Sequence, residues 1–500
     1  MEFVSYKAFG AKGDGKTDDL AAIIAAHEYA NEHHLPVKAD EGAVYYIGDA
    51  DAGAVIKTDT DWTGASFLLD DLSVNPTNGN RHVCIFNVHS YKEPYSLTGQ
   101  ITSVKKGQEN LGITLPEPSL IALTDSTTRH YIRKGRNANK GSEKTDIVIV
   151  DRDGNVDMAA PVIWDFDPVT DVKVIPMDEE PLTLRGGTFT TIANCQKSGS
   201  GYYSRGIRIC RANVSVEELT HYVTAEGEEG SAYSGILVAR DCANLTVRNC
   251  LFTAHKTYYN NAKGLGVVAQ GTYDISLGRS VNVTLENCRQ TTDILDTAYW
   301  GLMGSNFCKN IVLKNCIISR FDAHQGVANV SIHGCTLGHQ CLNAIGCGTL
   351  LVEDSTLYGT AFINLRSDYG STWEGEAVIR GCTWIPARGK PLTRTYALIS
   401  GNNSETHDFG YPCFMPHTVI IDGLHIDDSN TEEGGGICLL GNINPDRTDA
   451  EFEAKIAAEG YPYRVTEKIR IKNLTTASGR KWTRSANEFM FRHVTVEEQE

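Results

Sequence analysis

The chain has 500 residues, 41% of them hydrophobic, and carries 62 acidic against 46 basic residues for a net charge of −16. That balance excludes an extended nucleic-acid face, which requires a basic surface against phosphate, and no run of about 18 apolar residues is present to span a membrane. It leaves room for a large core and favours neutral partners, or charged ones met by a local cluster of Arg, Lys and His, a description that glycans fit.

In chain order the first informative segment is residues 4–26, VSYKAFGAKGDGKTDDLAAIIAA. Gly10, Gly13 and Gly15 permit a tight loop, Thr17 or Asp18 can cap, and the Ala-rich stretch 21–30 is predicted to form an amphipathic helix that closes the open end of a core. Asp14, Asp18 and Asp19 are therefore read as turn and capping residues. The glycines lack the spacing of a phosphate loop, and the acids beside them would repel phosphate. No basic segment followed by an apolar one resembles a secretory leader, so the chain is expected to be cytoplasmic, or secreted if a leader has been removed.

Between about 97 and 181 short alternating segments such as SLIALTDS, TDIVIVD and VKVIPM predict a compact β subdomain inserted after the first coils. Its basic stretch 133–144, RKGRNANKGSEK, is expected to be a solvated loop, the alternative being a lid over a substrate groove.

From residue 182 onward one hexad recurs: 182–187 (LTLRGG), 214–219 (VSVEEL), 245–250 (LTVRNC), 283–288 (VTLENC), 311–316 (IVLKNC), 330–335 (VSIHGC), 350–355 (LLVEDS), 377–382 (AVIRGC), 419–424 (VIIDGL) and 469–474 (IRIKNL). A short alternating strand ending in a small polar corner, repeated every 19 to 50 residues, is the mark of a β-solenoid. The first and third residues should point inward, and Asn or Gly should start the corner, where positive φ is cheap. Cys250, Cys288, Cys316, Cys335 and Cys382 occupy one slot and are expected to stack as small buried thiols rather than disulfides, which would suit a reducing compartment. Residues 446–460 predict a helix with an Asp or Thr cap and a terminal Gly, an excursion between late coils. The fold class is thus all-β: a right-handed single-stranded parallel β-helix with an N-terminal capping helix and an inserted small β subdomain, divided as 1–96, 97–181 and 182–500.

The segment 4–26 is similar to the N-terminal signature of the pectate-lyase-like β-helix superfamily, in the version found in polygalacturonase-type hydrolases, rhamnogalacturonan-acting enzymes and phage tailspikes. The resemblance implies a carbohydrate-directed function. The Asn-Thr-Asp and Gly-His-Gly motifs of the polygalacturonase-type hydrolases are absent from this chain.

Counting from the stacked cysteines places candidate residues on one wall: His255 and Lys256, then Asp293 and Asp296, then Asp322 and His324, then His339, then Arg366, Asp368 and Tyr369. Carboxylates crowded among His and Arg suit acid/base work, because repulsion raises one pKa while a cation keeps another group ionised. The expected activity is glycoside hydrolysis of an oligosaccharide or polysaccharide, with Asp322 and Asp296 as the acid/base pair, Asp293 setting their pKa values and His324 orienting. Arg366 and Lys256 would bind a polar or anionic substituent, while His255, Asp368, His339, Trp300 and Tyr369 line the groove. Asp322→Asn is expected to abolish turnover with stability nearly intact. No cofactor or metal is expected. One alternative is a polysaccharide lyase acting on a uronate-containing glycan; its resemblance to pectate lyases implies Ca²⁺ on Asp293, Asp296 and Asp322. The other is a noncatalytic glycan-binding or tailspike-like module. Oligomeric state is left open.

Overall fold

The computed structural model describes residues 3–197, 201–260, 266–301 and 303–499. Twenty-nine of its strands join by parallel pairing into the coils of a right-handed parallel β-helix. The hexads stack in register from Leu182 through Val214, Leu245, Val283, Ile311, Val330, Leu350, Ala377 and Val419 to Ile469. These residues, and the third of each hexad, are buried in one apolar core. Each contributes about 1.5–3 kcal/mol for the larger side chains. Among the described residues no helix is long and apolar enough to cross a membrane.

The corners follow the expected chemistry: Asn249, Asn287 and Asn315 adopt φ of 55°, 54° and 52°. A second asparagine row lies just before the hexads. Asn213, Asn244, Asn282, Asn310 and Asn329 all have positive φ, and from Asn244 onward each side-chain amide donates to the side-chain carbonyl of the preceding Asn at 2.9–3.1 Å. Cys250, Cys288, Cys316, Cys335 and Cys382 are buried free thiols, and the Cys316 amide donates to Cys335 Sγ at 3.3 Å.

The N-terminal helix runs Leu20–His33 and starts one residue earlier than expected, with Asp19 in the cap position. The Asp19 carboxylate accepts instead from the amides of Lys12 and Gly13, and Asp18 accepts from the Leu20 amide. Asp14 binds the Thr17 amide and hydroxyl. All three acids therefore build turns. The late helix spans Ala450–Glu459, capped by Asp449, which accepts from the Phe452 amide at 2.9 Å.

Strands Tyr95–Ser96, Ser119–His130, Ser142–Val150 and Asp171–Pro176 form a separate antiparallel sheet. It has its own apolar cluster around Ile121, Leu123, Val148 and Phe166. Its other face packs Leu120, Ala122 and Ile147 against Ala212, Ala243 and Val281 of the coils. A buried ion pair, Lys309 Nζ to Asp146 Oδ1 at 2.7 Å, pins the contact. That docking directs residues 133–137 toward one wall of the β-helix.

Candidate functional site

Strand Ile317–His333 supplies the centre of the site by simple alternation. Phe321 and Ala323 enter the core, so Arg320, Asp322 and His324 point to the opposite face. Asp322 is nonetheless fully buried there. Its Oδ2 accepts from Arg320 Nη2 and Arg366 Nη1, each at 2.7 Å, and from the Tyr273 hydroxyl at 2.5 Å. Burial alone would raise this carboxyl; the guanidinium groups of Arg320 and Arg366 outweigh it and hold Asp322 ionised, far below the usual carboxylate range.

Arg366 also grips Asp368 with two bonds, Nε to Oδ1 at 3.1 Å and Nη2 to Oδ2 at 2.9 Å. Burial opposes ionisation of Asp368, and Arg366 again prevails, so its pKa is lowered. Arg133, from the inserted subdomain, reaches Asp368 Oδ2 at 3.0 Å and donates to His324 Nε2 at 3.2 Å. Its guanidinium stacks 4.4 Å from the centre of the Tyr369 ring. His324 Nδ1 lies 2.6 Å from Asn306 Oδ1; as the amide oxygen accepts, Nδ1 carries the proton and Nε2 presents its lone pair. Burial, aided by the Arg366 charge, pushes the His324 pKa down to about 3, so the ring is neutral at physiological pH.

These groups border a cleft of about 510 Å³. Arg133, Arg136, Arg366, His324, Tyr273 and Trp300 line it, and Asp368 is the one carboxylate among the described lining residues. Trp300 offers its ring beneath the Arg320 guanidinium, 4.6 Å away. A second groove of about 700 Å³ shares Ser234 and Ser276 with the cleft and is edged by Lys57, His82, His89, Arg208 and Arg240.

The structure thus brings together Asp322, His324, Arg366, Asp368, Trp300 and Tyr369, the last as the buried floor beneath Arg133. It separates the others. Asp293 and Asp296 are exposed, accept from the amides of Leu295 and Ala298 in their own turns, and do not border the cleft. The expected pairing of Asp296 with Asp322 is therefore not assembled, nor is a Ca²⁺ site on Asp293, Asp296 and Asp322. His255 is 1% exposed as a side chain and turns inward to Glu226. The Lys256 backbone amide also faces Glu226. His339 bonds Ile294 O at 3.2 Å, away from the cleft lining. The cause is common to all: counting a fixed number of residues from the stacked cysteines presumes coils of equal length. The loop between strands Arg289–Gln290 and Met303–Asn306 and a register shift between Ile318 and Arg320 break that count.

Tyr273, Arg320, Arg133 and Asn306 were not anticipated. Arg320 had a local signal, since it lies two residues before Asp322 on the same strand face. Tyr273, 49 residues from Asp322, had none, and Arg133, 191 residues from His324, had only the basic stretch 133–144 and its alternative reading as a lid. The basic stretch expected as a solvated loop instead delivers Arg133, Arg136 and Asn137 to the cleft. The segment 407–417 buttresses it from behind: the Tyr411 hydroxyl donates to Tyr369 O at 2.6 Å.

No known protein family matches the chain. Over 198 residues it is 24% identical to a capsule KL64-specific depolymerase of Klebsiella phage P510, a match spanning 35% of this chain and only 17% of that protein. Among solved structures it is similar to the tailspike gp61 of Pseudomonas phage phi297, at 13% identity with a TM-score of 0.59, covering 96% of this chain and 76% of that one. The tailspike gp49 of Pseudomonas phage LKA1 gives 14% identity and a TM-score of 0.51, with coverages of 94% and 81%. The gp54 tailspike of Acinetobacter baumannii bacteriophage AP22, solved in complex with A. baumannii capsular saccharide, gives 10% and 0.50, with coverages of 97% and 73%. At these identities the likeness to solved structures is one of fold.

Proposed function

We propose that this chain is a tailspike-like depolymerase that cleaves an acidic, capsule-type polysaccharide in the cleft around His324 and Arg366. The observation that carries the reading is charge. In a chain of net charge −16, the cleft presents Arg133, Arg136 and Arg366 against the lining carboxylate of Asp368 and the buried Asp322 behind Arg366, and the adjoining groove adds Lys57, Lys92, Lys173, Arg208, Arg211 and Arg240 against Glu93 and Asp241. A polyanion with one carboxylate per repeat fits such a path, since guanidinium groups bind carboxylates in paired, charge-assisted bonds. The partial identity to a capsule depolymerase and the fold shared with tailspikes support the same substrate class.

The cleavage chemistry that the groups suit best is β-elimination. It needs a countercharge on the uronate carboxylate, a base for the adjacent C–H proton, and a proton donor for the leaving oxygen. Arg133 and Arg366 supply the first. Nε2 of His324 supplies the second once Arg133, which donates to it at 3.2 Å, turns to the uronate carboxylate, whose negative charge also offsets the arginine charge that weakens this base. A tyrosine hydroxyl of the cleft is the donor. In this reading Asp322 is a positioning residue that holds Arg320, Arg366 and Tyr273 in place. Two-carboxylate hydrolysis finds less support, because Asp322 and Asp368 are both held ionised by arginines and neither can protonate a leaving oxygen.

The test is incubation with neutral and uronate-containing capsular polysaccharides, following chain length, reducing ends and ultraviolet absorbance. Shortening of the acidic polymers with a new absorbance from the unsaturated product is expected. Reducing ends without absorbance would replace elimination by hydrolysis. Saturable binding with no shortening would leave a glycan-binding module, and cleavage confined to neutral polymers would overturn the charge argument.

A further inference from the structure

Behind the wall that carries Tyr273 lies a second polar cluster, sealed inside the coils. His221 follows from strand Thr220–Thr224, His255 from the coil after Leu251–Phe252, and Asp274 sits just before strand Ile275–Glu286. All three are 1% exposed or less. One atom from each lies within 4.8 Å of the others. His221 Nδ1 is 2.9 Å from Asp274 Oδ2, and His255 Nε2 is 3.7 Å from Asp274 Oδ1.

The hydrogen bonds around the two rings decide what they offer. His255 Nδ1 lies 3.0 Å from Glu226 Oε1; a carboxylate only accepts, so Nδ1 holds a proton and Nε2 is the atom that faces Asp274. His221 Nδ1 shares a hydrogen bond with Asp274 Oδ2 at 2.9 Å, a proton that a metal ion would displace, and Nε2 lies 2.9 Å from the Thr191 hydroxyl, which can accept from the ring once Nδ1 is given over to a metal. Asp274 Oδ1 is buried and has no hydrogen-bond partner. At 3.7 Å from His255 Nε2 this oxygen is too far for a direct hydrogen bond, and a buried carboxylate oxygen left unpartnered calls for a positive or proton-donating group between the two.

Charge points the same way. Asp71, Glu226 and Asp274 surround His255, and among the described residues Arg205, paired with Asp71 at 2.8 Å, is the one guanidinium bonded to any of the three. Burial opposes a charge on His255, but the three carboxylates prevail and raise its pKa, so this dry interior favours positive charge at the ring. A divalent cation between the rings and Asp274 would take the place of that proton.

We infer that His221 Nδ1, His255 Nε2 and the Asp274 carboxylate form a structural site for a divalent transition-metal ion, zinc foremost, with Glu226 and Thr191 as the outer partners that orient the two imidazoles. Ligand atoms about 2.1 Å from a tetrahedral zinc stand roughly 3.4 Å apart. The two imidazoles approach opposite oxygens of the Asp274 carboxylate, at 2.9 Å to Oδ2 and 3.7 Å to Oδ1, distances on either side of that value. Imidazole and carboxylate ligands suit zinc, cobalt or nickel rather than calcium or magnesium, and a carboxylate behind a ligating imidazole fixes its tautomer and raises its basicity. The ion would clamp three successive coils and, through Asp274, fix its neighbour Tyr273, whose hydroxyl holds Asp322 in the cleft wall.

The experiment is elemental analysis of the full chain purified without chelator, with refolding in cobalt(II) as a spectroscopic probe. One transition-metal ion per chain is expected, together with a visible d–d band of four-coordinate cobalt. His255→Gln and Asp274→Asn should lose both, and Glu226→Gln should weaken metal affinity by about 10- to 100-fold. Because the wild-type chain suffices, a variant that fails to fold does not blunt the test. Wild-type protein that is metal-free as purified, takes up no cobalt on refolding and melts the same with or without chelator would overturn the site in favour of a proton or a water between His255 and Asp274. Metal retained in both ligand variants would overturn it too, by placing the ion elsewhere.

Discussion

Replacing Asp322 by Asn removes one buried negative charge and leaves two buried guanidinium groups facing its place. Arg366 keeps Asp368 as a partner, whereas Arg320, 5% exposed as a side chain, retains only the Gln340 carbonyl at 2.9 Å and the face of Trp300. Breaking a buried pair by removing one partner costs about 3–5 kcal/mol. For 500 residues unfolding as a unit, an entropy near 2.1 cal/mol/K per residue gives about 1 kcal/mol/K, so the melting temperature should fall by roughly 3–5 °C. The sequence alone suggested that this substitution would leave stability nearly intact; burial between two arginines reverses that expectation. Thermal unfolding of Asp322→Asn, Arg320→Met and the double variant measures it. The double variant should recover most of the loss, since replacing both members of a buried pair is nearly neutral. A single variant melting within about 1 °C of wild type, or strictly additive losses, would refute the argument.

Three further outcomes follow from named contacts. Arg133→Ala removes charge-assisted bonds from the cleft and should weaken binding of an acidic polysaccharide by about 10- to 100-fold, with the loss shrinking at high salt; calorimetry at two ionic strengths checks this. Burial lowers the pKa of His27 and His324 to about 3 and that of His130 to about 4. Below about pH 6.5 the unfolded chain therefore binds protons that the folded chain refuses, and stability should fall steadily as pH drops toward 4; an unchanged urea midpoint between pH 7 and 4.5 would contradict it. Asn282, at φ 59° within the asparagine row, should tolerate Gly better than Ala, the alanine costing about 1–2 kcal/mol more by denaturant unfolding.

The β-helix was legible because its rule is local. Alternation within six residues sends Leu245 and Val247 inward, Asn249 turns the corner at positive φ, and each coil repeats the device, so the core and the pairing register can be read from the chain alone. Asp322, His324, Arg366 and Asp368 were found for the same reason, being close to regular strands that stack in register two coils apart. What the chain order could not determine was which long excursions return to the same wall. Asp293 and Asp296 leave with their loop and solvate themselves, His255 turns inward to Glu226, and Arg133 arrives from a subdomain docked through Asp146 and Lys309. Coil geometry is determined by short-range alternation that each hexad carries in itself. The electrostatics of the cleft are determined by long-range docking and desolvation, which bury Asp322 between two arginines and strip His324 of its proton, and those exist only once the coils are stacked.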